Sequence, residues 1–369
     1  MKDKKKIVQI VRSPAGGIRK HVISLVEGIN ELSEVVLITD ESKADSGYIE
    51  FKKRTNIKIY NLKINDKPGF LDVYNCLKIY LILYKEKVDI VHGHGAKGGI
   101  YSRVSGFLCG SKVFYTAHGG SMHLMHGFLK NILYSFIEKL LFVFTDKFIF
   151  ESKYSMDTFS KRVCDDPERF ILNYNGVLPR KAKKNILNLL QKDSINLASF
   201  GLLRKIKGHH LVIDAVKILR EEHGLNVRYT IYGDGEELQN LCNQALGKNV
   251  DSFVEIYNYT NDIDAKMLEA DIVIHPSEFE SFGYVPVESM ILGVPTIGSL
   301  NGGLSEVFNK GKIGFVIQEL SSDAIVKQVK YIVNNREAVQ LKCEEARKFV
   351  GKKFSEKKFV SKYKLIIND

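Results

Sequence analysis
The chain of 369 residues is poor in cysteine and has no long apolar run free of charge. Its five cysteines, Cys76, Cys109, Cys164, Cys242 and Cys343, are scattered, odd in number and without CxxC spacing. That argues against a disulfide framework and for a reducing compartment. The most apolar region, 124–150, is interrupted by Lys130, Glu138, Lys139, Asp146 and Lys147. No segment therefore has the uncharged length that a bilayer crossing needs. Met1 to Lys6 leads straight into the strand-like run 7–11, so no signal peptide is expected. RNP-type aromatic motifs, zinc-finger spacing and a basic-region heptad are also missing, and nucleic acid is not an expected partner. The expectation is a cytoplasmic protein, with a peripheral position on the inner face of the cell membrane as its membrane option.

What is present is a large hydrophobic share, 44%, and a formal charge of +11. The length suffices for two domains with separate cores. Up to Leu178 there are 27 basic against 19 acidic residues, so most of the excess lies in the first half. Phosphate-bearing substrates or an anionic membrane face are partners suited to it. Strand-like and helix-like segments alternate from residue 7 to about 161, with a short extended pair read around 48–62. The pattern restarts at 195 after a basic, polar stretch. This predicts an α/β protein of two Rossmann-like domains, 1–178 and 194–354, joined by a linker at 179–193. A last helix, 355–369, is expected to pack back on the first domain. Ligands in such folds sit at the carboxyl ends of the strands, so a cleft between the two domains is predicted.

Three stretches of the first half invite a chemical reading. Gly16-Gly17 with His21 follows the first strand, where glycines admit close approach and a helix start favours an anion. A plain tight turn explains it as well. His92-Gly93-His94-Gly95-Ala96-Lys97-Gly98-Gly99 contains G-x-G-x-x-G after a strand, the dinucleotide-binding pattern. However, it does not follow the first strand, and no acid lies between Asp89 and Glu138 to hold a ribose. Thr116-Ala117-His118-Gly119 ends another strand, and a histidine there can bond a hydroxyl or carry a proton.

In the second half, Gly201-Leu202-Leu203-Arg204-Lys205-Ile206-Lys207-Gly208 puts cations at a strand-to-helix turn, which suits a diphosphate. A solvated basic loop is the plainer alternative. Tyr232-Gly233-Asp234-Gly235 is first a turn. Asp262-Ile263-Asp264 reads as a helix cap rather than a metal site. The most informative stretch is 271–306. A buried-strand run ends at Pro276-Ser277. Glu280, Phe282, Gly283, Tyr284 and Val285 then lead into a helix that carries Glu288, and a further strand delivers Asn301-Gly302-Gly303. Two carboxylates eight residues apart, one in a loop and one in a helix, are acceptors for paired hydroxyls. The start of that helix can face phosphate with free N–H groups.

In this order the motifs resemble the family-4 retaining glycosyltransferases (group 1) of the GT-B fold, and the likeness spans essentially the whole chain. The resemblance implies transfer of a sugar from a nucleotide-diphosphate donor, UDP-sugar before GDP-sugar. The acceptor would be a glycan or a polyprenyl-diphosphate-linked acceptor in cell-surface polysaccharide synthesis, with no cofactor and no metal. Glu280 would hold donor-sugar hydroxyls and Glu288 the ribose. Amides at Phe282, Gly283, Tyr284 and Val285 would face sugar and phosphates, with Gly201, Gly233 and Gly303 also at the donor. Lys207 and Arg204 would neutralise the leaving diphosphate, and His118 would contact the donor sugar or reacting region. Gly16 and Gly17 would lie near the phosphates and acceptor. One departure stands out: the common arginine directly after the glycine is Leu202 here, and Arg204 is the nearby substitute. The resemblance also implies an anionic membrane surface as partner, through lysine-studded apolar stretches at 70–87 and 127–147. An NAD-dependent oxidoreductase using the Gly93–Gly98 loop and a noncatalytic nucleotide-sugar-binding protein are the alternatives.

Overall fold
The computed structural model describes residues 4–119, 128–186, 194–260 and 262–369. The run KIVQIV forms β1 (Lys6–Val11), which is buried beyond its first residue. In chain order follow α1 (Gly16–Ile29), β2 (Glu34–Thr39), α2 (Ser46–Arg54), β3 (Lys58–Asn61), α3 (Phe70–Glu86), β4 (Ile90–His94) and α4 (Gly95–Cys109). Then come β5 (Lys112–Thr116), α5 (Phe128–Phe142), β6 (Lys147–Phe150), α6 (Lys153–Arg162) and β7 (Phe170–Leu172). The strands pair in parallel in the order β3-β2-β1-β4-β5-β6-β7. Helices cover both faces, which is why the inner strands read as continuous apolar runs. Strand order reverses between β1 and β4, so their carboxyl ends flank a crevice in this sheet.

Two sequence readings are corrected here. Residues 48–54 are not extended but helical in α2, despite strand-forming Tyr48, Ile49 and Phe51. Asp45 caps the helix by accepting from the Tyr48 N–H at 3.0 Å, and Tyr48 and Phe51, three apart, are buried on one side. The glycine-rich stretch is not a loop either, because β4 runs through His94 and α4 starts at Gly95. A Cβ at Gly98, Gly99 or Gly106 would strike Ile10, Tyr115 or Val91, so these glycines let α4 lie against the sheet. Close helix–strand packing accounts for the motif without a dinucleotide.

The second sheet is built from β8 (Ile195–Phe200), α7 (His209–Glu221), β9 (Val227–Tyr232), α8 (Leu238–Gly247), β10 (Val254–Tyr257), α9 (Ile263–Glu269) and β11 (Ile272–His275). It continues through α10 (Tyr284–Ile291), β12 (Thr296–Gly298), α11 (Leu304–Val307), β13 (Phe315–Val316), α12 (Ser322–Asn334) and α13 (Arg336–Lys353). Its order is β10-β9-β8-β11-β12-β13, again all parallel, with the reversal between β8 and β11. A last helix, α14 (Glu356–Ile366), buries Phe359, Tyr363 and Ile366 in the core around α1 and β1.

The chain accordingly divides into Met1–Gly176 with Glu356–Asp369, and Val177–Ser355. Of the stretch read as a linker, Lys184 donates its N–H to the Leu292 carbonyl at 2.8 Å and Ile186 is buried in the second core. Its residues 187–193 lie outside the described residues, as do 124–127 of the helix read at 124–144. Among the described residues no helix is long and apolar enough to cross a membrane.

Candidate functional site
In the second unit the two loops at the sheet's reversal are tied together. After β8, Gly201 has a left-handed φ of 125°, and a short 3₁₀ turn, Lys205–Lys207, leads to Gly208 and α7. After β11 the chain leaves through His275, Pro276 and Ser277. The Glu278 N–H donates to the Ile206 carbonyl at 2.7 Å. Ser277 Oγ donates to that same carbonyl at 3.2 Å, and Ser299 Oγ donates to the Ser277 carbonyl at 2.6 Å. The Gly303 N–H bonds the Glu280 carbonyl at 2.8 Å. Gly302 has φ 64°, and a Cβ there would strike the Glu280 backbone, so a glycine is required for the 278–283 loop to lie where it does.

This framing brings Lys207 and Glu280 into an ion pair at Oε1, and His275 Nε2 lies 2.8 Å from the same oxygen. All three side chains are largely withdrawn from solvent. Burial alone would push the Glu280 carboxyl up. The Lys207 charge and then the His275 hydrogen bond reverse this and hold it well below the usual carboxylate range. Glu280 is therefore an anion across the working pH range. Gly283, at φ 98°, caps α10, whose first-turn amides at Tyr284 and Val285 have no partner within the helix. The Phe282 ring is buried against Tyr284 and Phe354, at 5.4 and 5.2 Å, so only its backbone is offered to a ligand. Glu288 lies one turn into α10 and is 4% exposed.

The remaining predicted positions of this unit are spread around the pair. The Gly201 and Gly233 N–H groups bond the Tyr232 and Tyr257 carbonyls, at 3.0 and 2.9 Å, so these glycines offer space rather than donors. Arg204 is exposed at the start of the 3₁₀ turn; its backbone N–H donates to the Leu202 carbonyl at 3.0 Å, and its guanidinium makes no hydrogen bond or ion pair with a described residue. Asp262 caps α9 by accepting from the Ala265 N–H at 3.0 Å, and Asp264 pairs with Arg180. Those two acids have structural work.

In the first unit His118 follows β5 with a left-handed φ of 49°. Its Nδ1 is 2.6 Å from Glu151 Oε2, and its Nε2 is 3.1 Å from His94 Nδ1. His94 Nε2 meets Gln9 Oε1 at 2.7 Å, and Gln9 donates to the Tyr363 hydroxyl at 3.1 Å. His92 lies between that hydroxyl and Thr116 Oγ1, both at 3.0 Å. The His21 ring stands edge-on to His118 at 4.5 Å, with Nδ1 2.6 Å from Asn175 Oδ1. Burial keeps His21, His92 and His94 neutral, pushing His21 down to about 3 and His92 and His94 well below the usual histidine value. Ring nitrogens of His21, His94 and His118 lie within 4.8 Å of one another, the ligand type of a divalent metal. Hydrogen bonds already orient each ring. Gly16 and Gly17 are exposed at the start of α1, but the Gly16 N–H donates to Asp45 Oδ2 at 2.8 Å, so a protein carboxylate occupies that helix start.

Two members of these clusters were not singled out from sequence. His275 closes an apolar strand run and reads as its end. Glu151 reads as the last residue of another. Their common signal is a polar side chain at the carboxyl end of a buried strand, the edge where ligands sit.

One surface of the first unit is apolar and exposed. Phe70, Val73, Tyr74, Leu77, Leu81 and Tyr84 of α3 project to solvent, as do Phe107 and Leu108 of α4 and Leu133, Phe136 and Leu140 of α5. Cys76, Leu77, Tyr80 and Leu108 line a groove of about 300 Å³ between α3 and α4. Phe107 meets Phe144, beyond α5, at 4.6 Å, so the three helices share one apolar face. Exposed Lys78, Lys85, Lys130 and Lys139 are interspersed.

Residues 15–180 match the family described as Glycosyltransferase Family 4, and residues 180–349 match Glycosyl transferases group 1. Over 352 residues the chain is 26% identical to an uncharacterized glycosyltransferase of Methanocaldococcus jannaschii, covering 94% of this chain and 92% of that one. It is 25% identical to the UDP-Gal:α-D-GlcNAc-diphosphoundecaprenol α-1,3-galactosyltransferase of Escherichia coli, over 72% of this chain and 71% of that one. The structure of Anabaena HepE in complex with UDP and glucose covers 99% of this chain and 100% of its own, with a TM-score of 0.84 at 19% identity. At that identity the likeness is one of fold.

Proposed function
The chain belongs to the family 4, group 1 glycosyltransferases of GT-B fold and is an enzyme of that class, and from this premise we propose that it is a retaining transferase. It moves a hexosyl group from a UDP-sugar to a glycan or polyprenyl-diphosphate-linked acceptor in surface-polysaccharide assembly. The observation that carries the reading is the Lys207–Glu280–His275 constellation at the reversal of the second sheet. A transfer of this kind needs fixed charge where the diphosphate leaves and hydrogen-bond acceptors where the sugar sits. Lys207 supplies the first, with Arg204 beside it, and Glu280 supplies the second. The α10 amides face the phosphates and Glu288 takes the ribose hydroxyls. His118, oriented by Glu151, addresses the donor sugar. The choice of UDP and of a lipid-diphosphate acceptor is supported by what the E. coli relative acts on and by the UDP in HepE. Leaving-group charge is met by protein cations, so turnover is expected to survive EDTA.

The exposed apolar face of α3, α4 and α5 supports a peripheral seat on an anionic membrane, where lysines meet headgroups and Leu, Phe and Tyr enter the interface. A lipid-linked acceptor would be met there.

The test is turnover with UDP-, GDP- and ADP-sugars, with NMR assignment of the new anomeric bond. Glu280→Ala and Lys207→Ala should each remove activity while leaving the fold intact. Near-normal turnover in both variants would overturn the site assignment, and inversion at the anomeric carbon would overturn the retaining course.

A further inference from the structure
We propose that His275 is a positioning residue of the transfer, holding the Glu280 carboxylate in register for the donor sugar after Lys207 turns to the diphosphate. The proposal rests on the reading that Glu280 receives donor-sugar hydroxyls. It adds a residue to which that reading gives no role.

Three observations carry it. First, Lys207 and His275 converge on the same oxygen, Oε1. No described residue donates to Oε2, and a carboxylate gripped at one oxygen presents the other. Second, the two donors differ in freedom. Lys207 is a point charge on a flexible stem, able to exchange a carboxylate for a phosphate oxygen. His275 has two side-chain torsions, is 5% exposed, and ends a buried strand paired with β12 at Gly298. The backbone beneath it is pinned: Ser199 Oγ donates to the Ile274 carbonyl at 2.6 Å, and the Tyr229 hydroxyl donates to Ser199 Oγ at 2.9 Å. Third, the strand does not need an imidazole at this position. Ile272, Val273 and Ile274 are fully buried and apolar, and an aliphatic residue would complete the run. Among the described residues the ring bonds only Glu280.

When Lys207 leaves Oε1 for the departing diphosphate, Glu280 loses one of its two holders at the moment when its orientation matters. A glutamate tethered only by its own three torsions would sample several rotamers, and misplacing a reacting group by about 1 Å costs on the order of a hundredfold. The Nε2–H of a neutral imidazole suffices to keep it in place, so His275 needs no charge.

The test compares His275→Leu, which fills the volume without a donor, with His275→Gln, whose amide nitrogen reaches the place of Nε2. UDP release from UDP-glucose, UDP-galactose and UDP-N-acetylglucosamine gives kcat and KM, calorimetry gives the Kd of UDP, and thermal unfolding reports the fold. His275→Leu is expected to lower kcat/KM roughly 10- to 100-fold, the loss of one hydrogen bond to a charged group. Its affinity for UDP, which lacks the sugar, should stay within twofold of wild type. His275→Gln should restore most of the turnover. Wild-type kcat/KM in His275→Leu would overturn the proposal. So would equal loss in both variants together with weaker UDP binding and a lower Tm, because that pattern marks a structural residue. Glu280→Gln separates the two levels: wild-type turnover there removes the underlying reading, whereas its loss beside a normal His275→Leu removes only the role of His275. Failure of all three UDP-sugars to turn over would likewise remove the reading beneath it.

Discussion
Replacing Lys207 by alanine should cost far more turnover than stability. Lys207 is a half-buried cation whose position is fixed by the bond from the Glu278 N–H to the neighbouring Ile206 carbonyl. At an effective dielectric near 20, a unit charge about 4 Å from a phosphate oxygen is worth about 4 kcal/mol. In the proposed transfer much of that would be realised only as charge develops on the leaving diphosphate, and removing one such donor typically lowers kcat about 10²- to 10³-fold. Arg204 is too exposed to replace it, because solvent screens a charge with no fixed partner. The folded protein loses less. Glu280 keeps its bond to His275, and the pair retains some contact with water, so the cost is about 1–2 kcal/mol. The assay is steady-state UDP release from the proposed UDP-sugar donor, with thermal unfolding of the same preparation. Combining Lys207→Ala with Glu280→Gln should lower stability by less than the sum of the single changes, since both break one pair. A Lys207→Ala enzyme with kcat within threefold of wild type would refute the reasoning.

Three further outcomes follow from other parts of the molecule. Leu77→Asp with Phe136→Asp should abolish co-sedimentation with vesicles containing anionic phospholipid and leave turnover on a soluble acceptor intact; removing Lys130, Lys139 and Lys147 together should do the same. Unchanged binding in both would remove the membrane role. Glu86 accepts from Lys58 and Tyr60 and pairs with Lys6, which pulls its carboxyl down to about 2. A depressed folded value means stabilisation that is complete above the ordinary value of 4.5 and lost as pH falls toward about 2. With Lys58 half exposed, screening leaves about 1–2 kcal/mol, so Glu86→Gln should flatten the stability curve over that window in acid titrations of unfolding. Finally, Arg103 and Glu138 form an ion pair with side chains 0% and 3% exposed, and the guanidinium lies 4.1 Å from the Tyr115 ring centroid. Glu138→Leu strands a buried cation and should cost about 3–5 kcal/mol in denaturant unfolding; a loss below about 1 kcal/mol would show that the pair is dispensable.

The alternation of apolar runs with amphipathic segments was enough to read two parallel sheets, because covered strands must be apolar on both sides. Among the candidate site residues, Lys207, Glu280 and His118 stand out in the sequence because each lies in a glycine-bearing stretch after a strand, and Glu288 because it follows Glu280 by eight residues in the next helix. Local chemistry misled where two signals compete. Tyr48 to Arg54 has strand-forming residues, but Asp45 supplies a cap and Tyr48 with Phe51 a helical spacing, and the helix wins. The glycines of 93–99 look like a ligand loop, yet they are spent on the approach of α4 to the sheet. The pairing of Glu151 with His118 depends on β5 and β6 becoming neighbours, and His275 meets Glu280, five residues on, only through the path of the loop between them. Sequence spacing does not encode that pairing.

The same point explains how the charged site is held. Lys207 and Glu280 are 73 residues apart and belong to different loops, but those loops behave as one piece. Ile206 receives bonds from Glu278 and Ser277, Ser277 is held by Ser299, and Gly303 holds Glu280 from the third side. Each bond is backbone-directed, so the position of the charge pair is set by main-chain geometry rather than by long side chains finding one another. Side chains alone would leave several rotamers for the lysine and the glutamate, with an entropy cost each time they are ordered. Fixing their backbones first removes much of that cost before a donor arrives, so that in the proposed transfer only the Lys207 side chain need turn from Glu280 to the leaving group. On the proposed reading, a substitution at Ser277 or Gly302 should therefore lower transfer as one at Lys207 does, although neither residue bears a charge.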